Sequence, residues 1–334
     1  MTSFLPETSE IDDDLGDLIA EQLVQVENRL RGCVATEDAM ASWTASHLLN
    51  AGGKRIRPVL TILGGAFGDA RRSEVVASAA LVELTHLASL YHDDVMDSAP
   101  TRRGAQSAHE IWGNNVAILT GDFLFARASA LSATLDIETV AAHSHTFERL
   151  CLGQLHETVG PREAEDPYAH YLDVLADKTA SLIALAGQLG ARHGGAGEEI
   201  ADIMARYGEK VGVAFQLADD VLDLMSDAST SGKRPGTDLR EGVPTMPTLL
   251  LRRDAASGDA ASQTLVEQLD GDLSSDEALD AMVKALREHP CLQEAADLAR
   301  ATAEEATTIL QELPDRPARD ALMAFTSALV DRGR

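Results

Sequence analysis

The chain has 334 residues, 45% of them hydrophobic and only 4% aromatic, with 28 Lys and Arg against 54 Asp and Glu for a formal charge of −26. That length and apolar content can bury a large core, as one big domain or two ordinary ones. The acidic excess argues against nonspecific binding to nucleic acid or anionic membranes, which need a basic surface. Cys33, Cys151 and Cys291 are too few and too far apart for a disulfide framework or a cysteine metal cluster.

Residues 1–14 (MTSFLPETSEIDDD) read as a flexible acidic lead-in. They carry no basic stretch ahead of an apolar run, and no uninterrupted apolar segment approaches the length of a membrane span. The expectation is a cytoplasmic protein without an integral membrane segment. Leu18, Ile19, Leu23, Val26 and Leu30 then keep the three-to-four residue spacing of an amphipathic helix. A second helix from Ala39 to Leu49 stops at Asn50-Ala51-Gly52-Gly53, a natural C-terminal signal. The segments 74–97, 115–134, 137–159, 168–192 and 198–225 are long, poor in proline and apolar on more than one side, as helices inside a bundle are. Asp227 to Pro247 is an irregular stretch of glycine, proline and charge, of the kind that often carries function. Beyond 252 the pattern is again helical and acidic, with turns at Ser257-Gly258 and His289-Pro290. The fold class is all-α. No break in composition demands a second domain, so 15–334 is expected to form one.

Two copies of one carboxylate pattern stand out, Asp93-Asp94-x-x-Asp97 and Asp219-Asp220-x-x-Asp223. Residues four apart share a helix face, so each copy presents a pair of oxygen donors. Such hard ligands suit Mg²⁺, which binds one or two carboxylates and completes its shell with water and phosphate oxygens. A lone DDxxD in an acidic chain is as readily a solvated surface, but both copies lie in strongly apolar segments. Basic residues are scarce, and they cluster where a diphosphate would need them. Gly52-Gly53-Lys54-Arg55-Ile56-Arg57-Pro58 follows a helix stop and puts Lys54 and Arg57 at the start of the next helix. Thr101-Arg102-Arg103-Gly104 follows the first carboxylate motif, while Lys178-Thr179 and Lys233 lie in a long helix and in the irregular stretch. Arginine forks match phosphate oxygens and lysine supplies a compact charge.

GGKRIRP, HDDVMD with TRRG, GDFL, GQLHE, KT, FQLADDVLD and GKRPGTDL occur in the order and spacing of trans-isoprenyl diphosphate synthases, and the chain resembles that family over nearly its whole length. The resemblance implies one large helical bundle around a deep central cavity, usually as a homodimer. It implies repeated trans condensation of isopentenyl diphosphate with an allylic diphosphate. Asp93, Asp97 and Asp219 would hold Mg²⁺, commonly three ions with Mn²⁺ as a possible substitute, with Asp94, Asp220 and Asp223 in support. Arg102, Lys178 and Lys233 would grip the allylic diphosphate. Lys54, Arg57, His86 and Arg103 would hold isopentenyl diphosphate, and Thr179 and Gln216 would face the allylic cation. His92 reads as a packing residue, and Gln154 and Glu157 as either water-orienting groups or a buried polar pair.

The growing product would run along the helix behind Asp93, where one turn is about 5.4 Å. Ala88 and Ser89 lie one turn deeper and Thr85 two, all small, so the tunnel is expected to stay open for a medium or long chain. A geranylgeranyl (C20) or farnesyl (C15) product is the alternative if a residue from another helix closes it. A terpene cyclase is disfavoured by the second DDxxD and by GGKRIRP, and a non-catalytic subunit by the intact motifs.

Overall fold

A computed structural model describes residues 12–225 and 235–330, so Lys233 and part of the irregular stretch lie outside the described residues. Among the described residues the helices are α1 (Asp13–Val34), α2 (Ala39–Asn50), α3 (Ile56–Gly65), α4 (Ser73–Met96), α5 (Ala108–Trp112), α6 (Asn114–Ser132), α7 (Ile137–Val159) and α8 (Pro167–Leu175). They continue with α9 (Ser181–Gly194), α10 (Glu198–Met225), α11 (Thr237–Glu241), α12 (Met246–Ala256), α13 (Ala260–Leu269), α14 (Asp276–Glu288), α15 (Pro290–Leu310) and α16 (Pro317–Val330). A two-residue hairpin, β1 (Thr101–Arg102) against β2 (Ala105–Gln106), is the only sheet among them, with Thr101 paired to Gln106. The all-α expectation holds among the described residues.

Several helices begin where a side chain satisfies one of the first free amides. Asp12 accepts from Leu15 N at 3.2 Å, so α1 starts at Asp13, inside the expected acidic lead-in. Asp38 does the same for α2 through Ala41 N at 2.8 Å. Thr245 and Thr248 cap α12 reciprocally. One expected helix is interrupted: within 168–192, Ala176–Ala180 forms a π turn between α8 and α9. That five-residue stretch carries Lys178 and Thr179, and π turns concentrate at functional sites.

The chain folds into two compact units. The first takes residues 12–148, 182–208 and 309–325, and α4 is its spine. Leu81, Leu84 and Leu87 are fully buried, each worth about 1.5–3 kcal/mol relative to exposure. Although α4 is long and apolar enough to cross a membrane, most of it is buried against protein, chiefly α6, α3 and α1. Tyr91 ties it to α2, donating to Thr44 O at 2.5 Å and accepting from Leu48 N at 3.2 Å. α3 and α9 approach backbone to backbone: a Cβ on Gly190 would lie 2.0 Å from Thr61 O, so only glycine fits there. The second unit takes 149–181, 209–225, 235–308 and 326–330. Its core includes Leu217, Leu224, Met246, Leu250, Leu251, Met282 and Leu286, contributed by α10, α12 and α14.

Candidate active site

In the first unit, the C-terminal end of α4 carries the first carboxylate motif. Asp97 donates its amide to Asp93 O at 2.8 Å, so the two residues stack on one turn. Asp93 is half-buried and Asp97 exposed. Asp94 differs from both: it is fully buried and accepts from Arg102 Nε at 2.6 Å, while its Oδ2 has no partner. Its carboxylate therefore anchors the arginine of the following hairpin.

The two basic clusters of this unit meet. Gly52 (φ 88°), Gly53 (φ 148°) and Arg55 (φ 51°) take left-handed conformations, as does Arg103 (φ 55°). The Arg103 guanidinium lies on Gly53, where a Cβ would sit 2.8 Å from Cζ, and donates to Gly52 O. Arg55 donates to Glu27 at 2.5 Å and Glu83 at 2.8 Å, both carboxylates being buried. Burial alone would lower its pKa, but Glu83 and Glu27 raise it above the ordinary value. The Arg57 guanidinium is different. Its Nε is buried without a hydrogen-bond partner, and burial pulls the group down to about 10, with Glu83 opposing and Arg103 assisting. His86 is held well below its usual value by burial first and then by Arg57, Arg103, Arg102 and Arg55. Those perturbers place His86 among the arginines as a neutral imidazole. A cluster of half-buried cations, with the buried Arg57 Nε unpaired, fits an anion, and a neutral histidine beside it adds no charge to the crowd.

In the second unit, α10 carries the other motif. Asp219 is half-buried. Asp220 is buried, and its Oδ2 accepts from both Tyr171 OH at 2.6 Å and Met246 N at 2.9 Å. Burial pushes its carboxyl up to about 7 against those two hydrogen bonds. Asp223 serves the start of α11, accepting from Thr237 N at 3.3 Å and Asp238 N at 3.4 Å. The π turn presents Lys178 to Glu157, which also accepts from Gln154 Nε2 at 3.1 Å. Glu157 is thus a counter-ion to Lys178, braced by Gln154. Thr179 Oγ1 lies 3.4 Å from Gln216 Oε1, linking the π turn to α10. A Cβ on Gly153 would come within 2.5 Å of Lys178 N, so this glycine lets α7 seat against the turn.

The carboxylates can be tested against a divalent cation by their chemistry. No group of three or more His, Cys, Asp or Glu in metal-holding geometry occurs among the described residues. Each motif instead offers a few carboxylate oxygens, which fits Mg²⁺ completed by water and phosphate and does not fit a Zn²⁺ cage.

A family model for polyprenyl synthetases matches residues 39–286. The chain belongs to the polyprenyl synthetase family. It is 42% identical over 325 residues to a nonaprenyl diphosphate synthase of Mycobacterium tuberculosis, with 96% of each chain covered. Among solved structures it is similar to a geranylgeranyl pyrophosphate synthase from Corynebacterium glutamicum complexed with calcium and isoprenyl diphosphate, with a TM-score of 0.86, 40% identity, and 96% and 98% of the two chains covered. A polyprenyl synthase from Caulobacter crescentus, in the same kind of complex, gives a TM-score of 0.86 at 31% identity over 98% and 99%. As a polyprenyl synthetase the chain is a trans-prenyltransferase, and the family is generally Mg²⁺-dependent.

Reading the sequence singled out the aspartates and most of the cations but missed the groups that position them: Glu27, Glu83 and Tyr171. Glu83 did leave a signal. It is a lone acid in the apolar run AALVELTHLASL, and a charge so placed needs a partner.

Proposed function

We propose that this polyprenyl synthetase makes a medium- or long-chain all-trans polyprenyl diphosphate, about C30 to C50, by repeated addition of isopentenyl diphosphate to an allylic diphosphate. Ala88 carries the reading: it is a fully buried small residue one turn behind Asp93, followed on α4 by Ser89. An aromatic ring there would stop elongation early. The identity values alone do not decide length, since a nonaprenyl and a geranylgeranyl enzyme stand at 42% and 40%.

In this reading Asp93, Asp97 and Asp219 are the Mg²⁺ ligands, for three ions that Mn²⁺ can replace, with Asp94, Asp220 and Asp223 holding neighbouring groups in place. Mg²⁺ supplies Lewis-acid stabilisation of the leaving diphosphate. Arg102, Lys178 and Lys233 grip that diphosphate, so that negative charge building during ionisation meets fixed cations. Lys54, Arg57, Arg103 and neutral His86 hold isopentenyl diphosphate, whose double bond then attacks as if within one molecule. Thr179 and Gln216 turn oxygen dipoles toward the cation. The departing diphosphate takes the final proton. The enzyme acts in the cytoplasm, consistent with three unpaired cysteines. It works as a homodimer, consistent with exposed Leu119 and Ile118 on α6 and Ile137 on α7. Chromatography of products from farnesyl and isopentenyl diphosphates tests the assignment: chains of C30 or longer are expected, and accumulation of C20 alone refutes the length.

A further inference from the structure

Arg149, Gly153 and Glu157 stand four residues apart on α7 and form one stripe along the helix. All of them meet the π turn. The Glu157 carboxylate takes the Lys178 ammonium, and the missing Cβ of Gly153 admits the Lys178 amide. Arg149 holds the start of the turn: its Nε donates to Asp177 Oδ1 at 2.7 Å and its Nη2 to Ala176 O at 3.3 Å. The Ala176 carbonyl also accepts from Ser181 N, a bond from i+5 to i that makes the turn π rather than α. Arg149 is therefore seated on a carbonyl whose backbone partner distinguishes the two geometries.

The rest of the guanidinium fixes it to α10. Nη1 donates to Glu209 Oε1, and Nη2 to Glu209 Oε2 at 3.2 Å, a two-pronged pair. Seven residues on, about two turns along the same face of α10, Gln216 accepts from Thr179 Oγ1 at 3.4 Å. The turn is thus held at two points, at 176–177 through Arg149 and at 179 through Gln216. Burial alone would lower the pKa of Arg149, but the hydrogen bonds to Glu209 and Asp177 raise it above the ordinary value, so the group stays charged. The side chains of Arg149, Asp177 and Glu209 keep exposures of 25%, 27% and 33%, which sets the triad at the margin of the core, where its loss leaves the packed interior intact.

A π turn carries one residue more than the α-helix it interrupts. Relaxation to α-helix shifts the register by one residue, about 100° around the axis, and swings Lys178 off the face that Gly153 and Glu157 set. We propose that Arg149 is a positioning residue for the condensation: by holding Ala176 and Asp177 it keeps the π register that aims Lys178 and Thr179 at the allylic diphosphate. The inference rests on the prenyl-synthase reading above, in which Lys178 grips that diphosphate, and adds the residue that keeps it aimed. Arg149 acts through Lys178, not on the substrate.

The test compares wild type, Arg149→Ala, Lys178→Ala and the double variant in steady-state kinetics with farnesyl and radiolabelled isopentenyl diphosphates, with calorimetry reading Tm. Arg149→Ala is expected to lower kcat/KM for farnesyl diphosphate about tenfold while leaving KM for isopentenyl diphosphate within about twofold of wild type. In the Lys178→Ala background the same change should cost less than about twofold more, because the group it aims is already gone. A folded Arg149→Ala with wild-type kcat/KM for farnesyl diphosphate overturns the proposal. So do losses that raise both KM values alike, or that multiply independently with those of Lys178→Ala, since a purely structural residue behaves that way. If Arg149→Ala does not fold, Glu209→Gln decides: it keeps the shape but drops the charge that anchors the guanidinium, and should give the same selective loss at about threefold. Wild-type kinetics in that variant overturn the proposal equally. Full activity in Lys178→Ala overturns the inference together with the Lys178 assignment, whereas absence of condensation by the wild-type chain refutes the reaction itself.

Discussion

Arg55 and Lys54 are neighbours in one basic motif, yet Arg55 is tied to two buried carboxylates while Lys54 is exposed. Replacing Arg55 with Ala removes the shared partner of Glu27 and Glu83, whose side chains are only 8% and 2% exposed. Breaking a buried ion pair from one side costs about 3–5 kcal/mol, because a desolvated charge is left behind. Arg103 stays 3.8 Å from Glu83 and compensates in part, which places the expected loss near the lower end. For 334 residues the unfolding entropy is roughly 0.7 kcal/mol/K, so a loss of about 3 kcal/mol lowers Tm by about 4 °C. Lys54 is exposed, and Lys54→Ala should leave Tm nearly unchanged while raising KM for isopentenyl diphosphate. Differential scanning calorimetry with steady-state kinetics on both variants separates the two roles. An Arg55→Ala protein with wild-type Tm and a selectively raised KM would refute the structural assignment.

Asp220→Asn can keep both hydrogen bonds to Oδ2 while removing a charge. The folded carboxyl, at about 7, lies above its unfolded value of 3.8. Its contribution to stability is therefore full below pH 3.8 and is lost as pH rises through about 7. In chelator, the Asn variant should gain about 3 kcal/mol on wild type between pH 5 and pH 8, or about 4 °C in Tm; a gap independent of pH would exclude the buried charge. Phe at position 88 or 89 should shorten the product, and an unchanged distribution in both variants would remove this face of α4 from the product path. Asp93→Ala should lose at least a hundredfold in kcat with Mg²⁺ while keeping wild-type Tm in chelator, and full activity would remove Asp93 from the metal site.

Most of the helices were legible because apolar periodicity over fifteen or more residues leaves few alternatives, as in 137–159 and 198–225. The π turn was not. Ala-Asp-Lys-Thr-Ala reads as ordinary helix, and the widened turn belongs to packing on Gly153, which is remote in sequence. The aspartate pairs were legible because i, i+4 spacing maps directly onto one helix face. Arg55 was not separable from Arg57 by composition, since the left-handed backbone at Arg55 decides which way its side chain turns.

Gly53 and Arg103 are fifty positions apart and occupy each other's space. Any side chain at 53 displaces the guanidinium, and any shift at 103 leaves Gly52 O with only Arg55 Nη1, at 3.3 Å, as a donor. Over evolutionary drift these two positions are therefore one heritable unit. A lineage that alters either must pass through a form in which the Arg103 guanidinium has lost its seat on Gly53, or change both together.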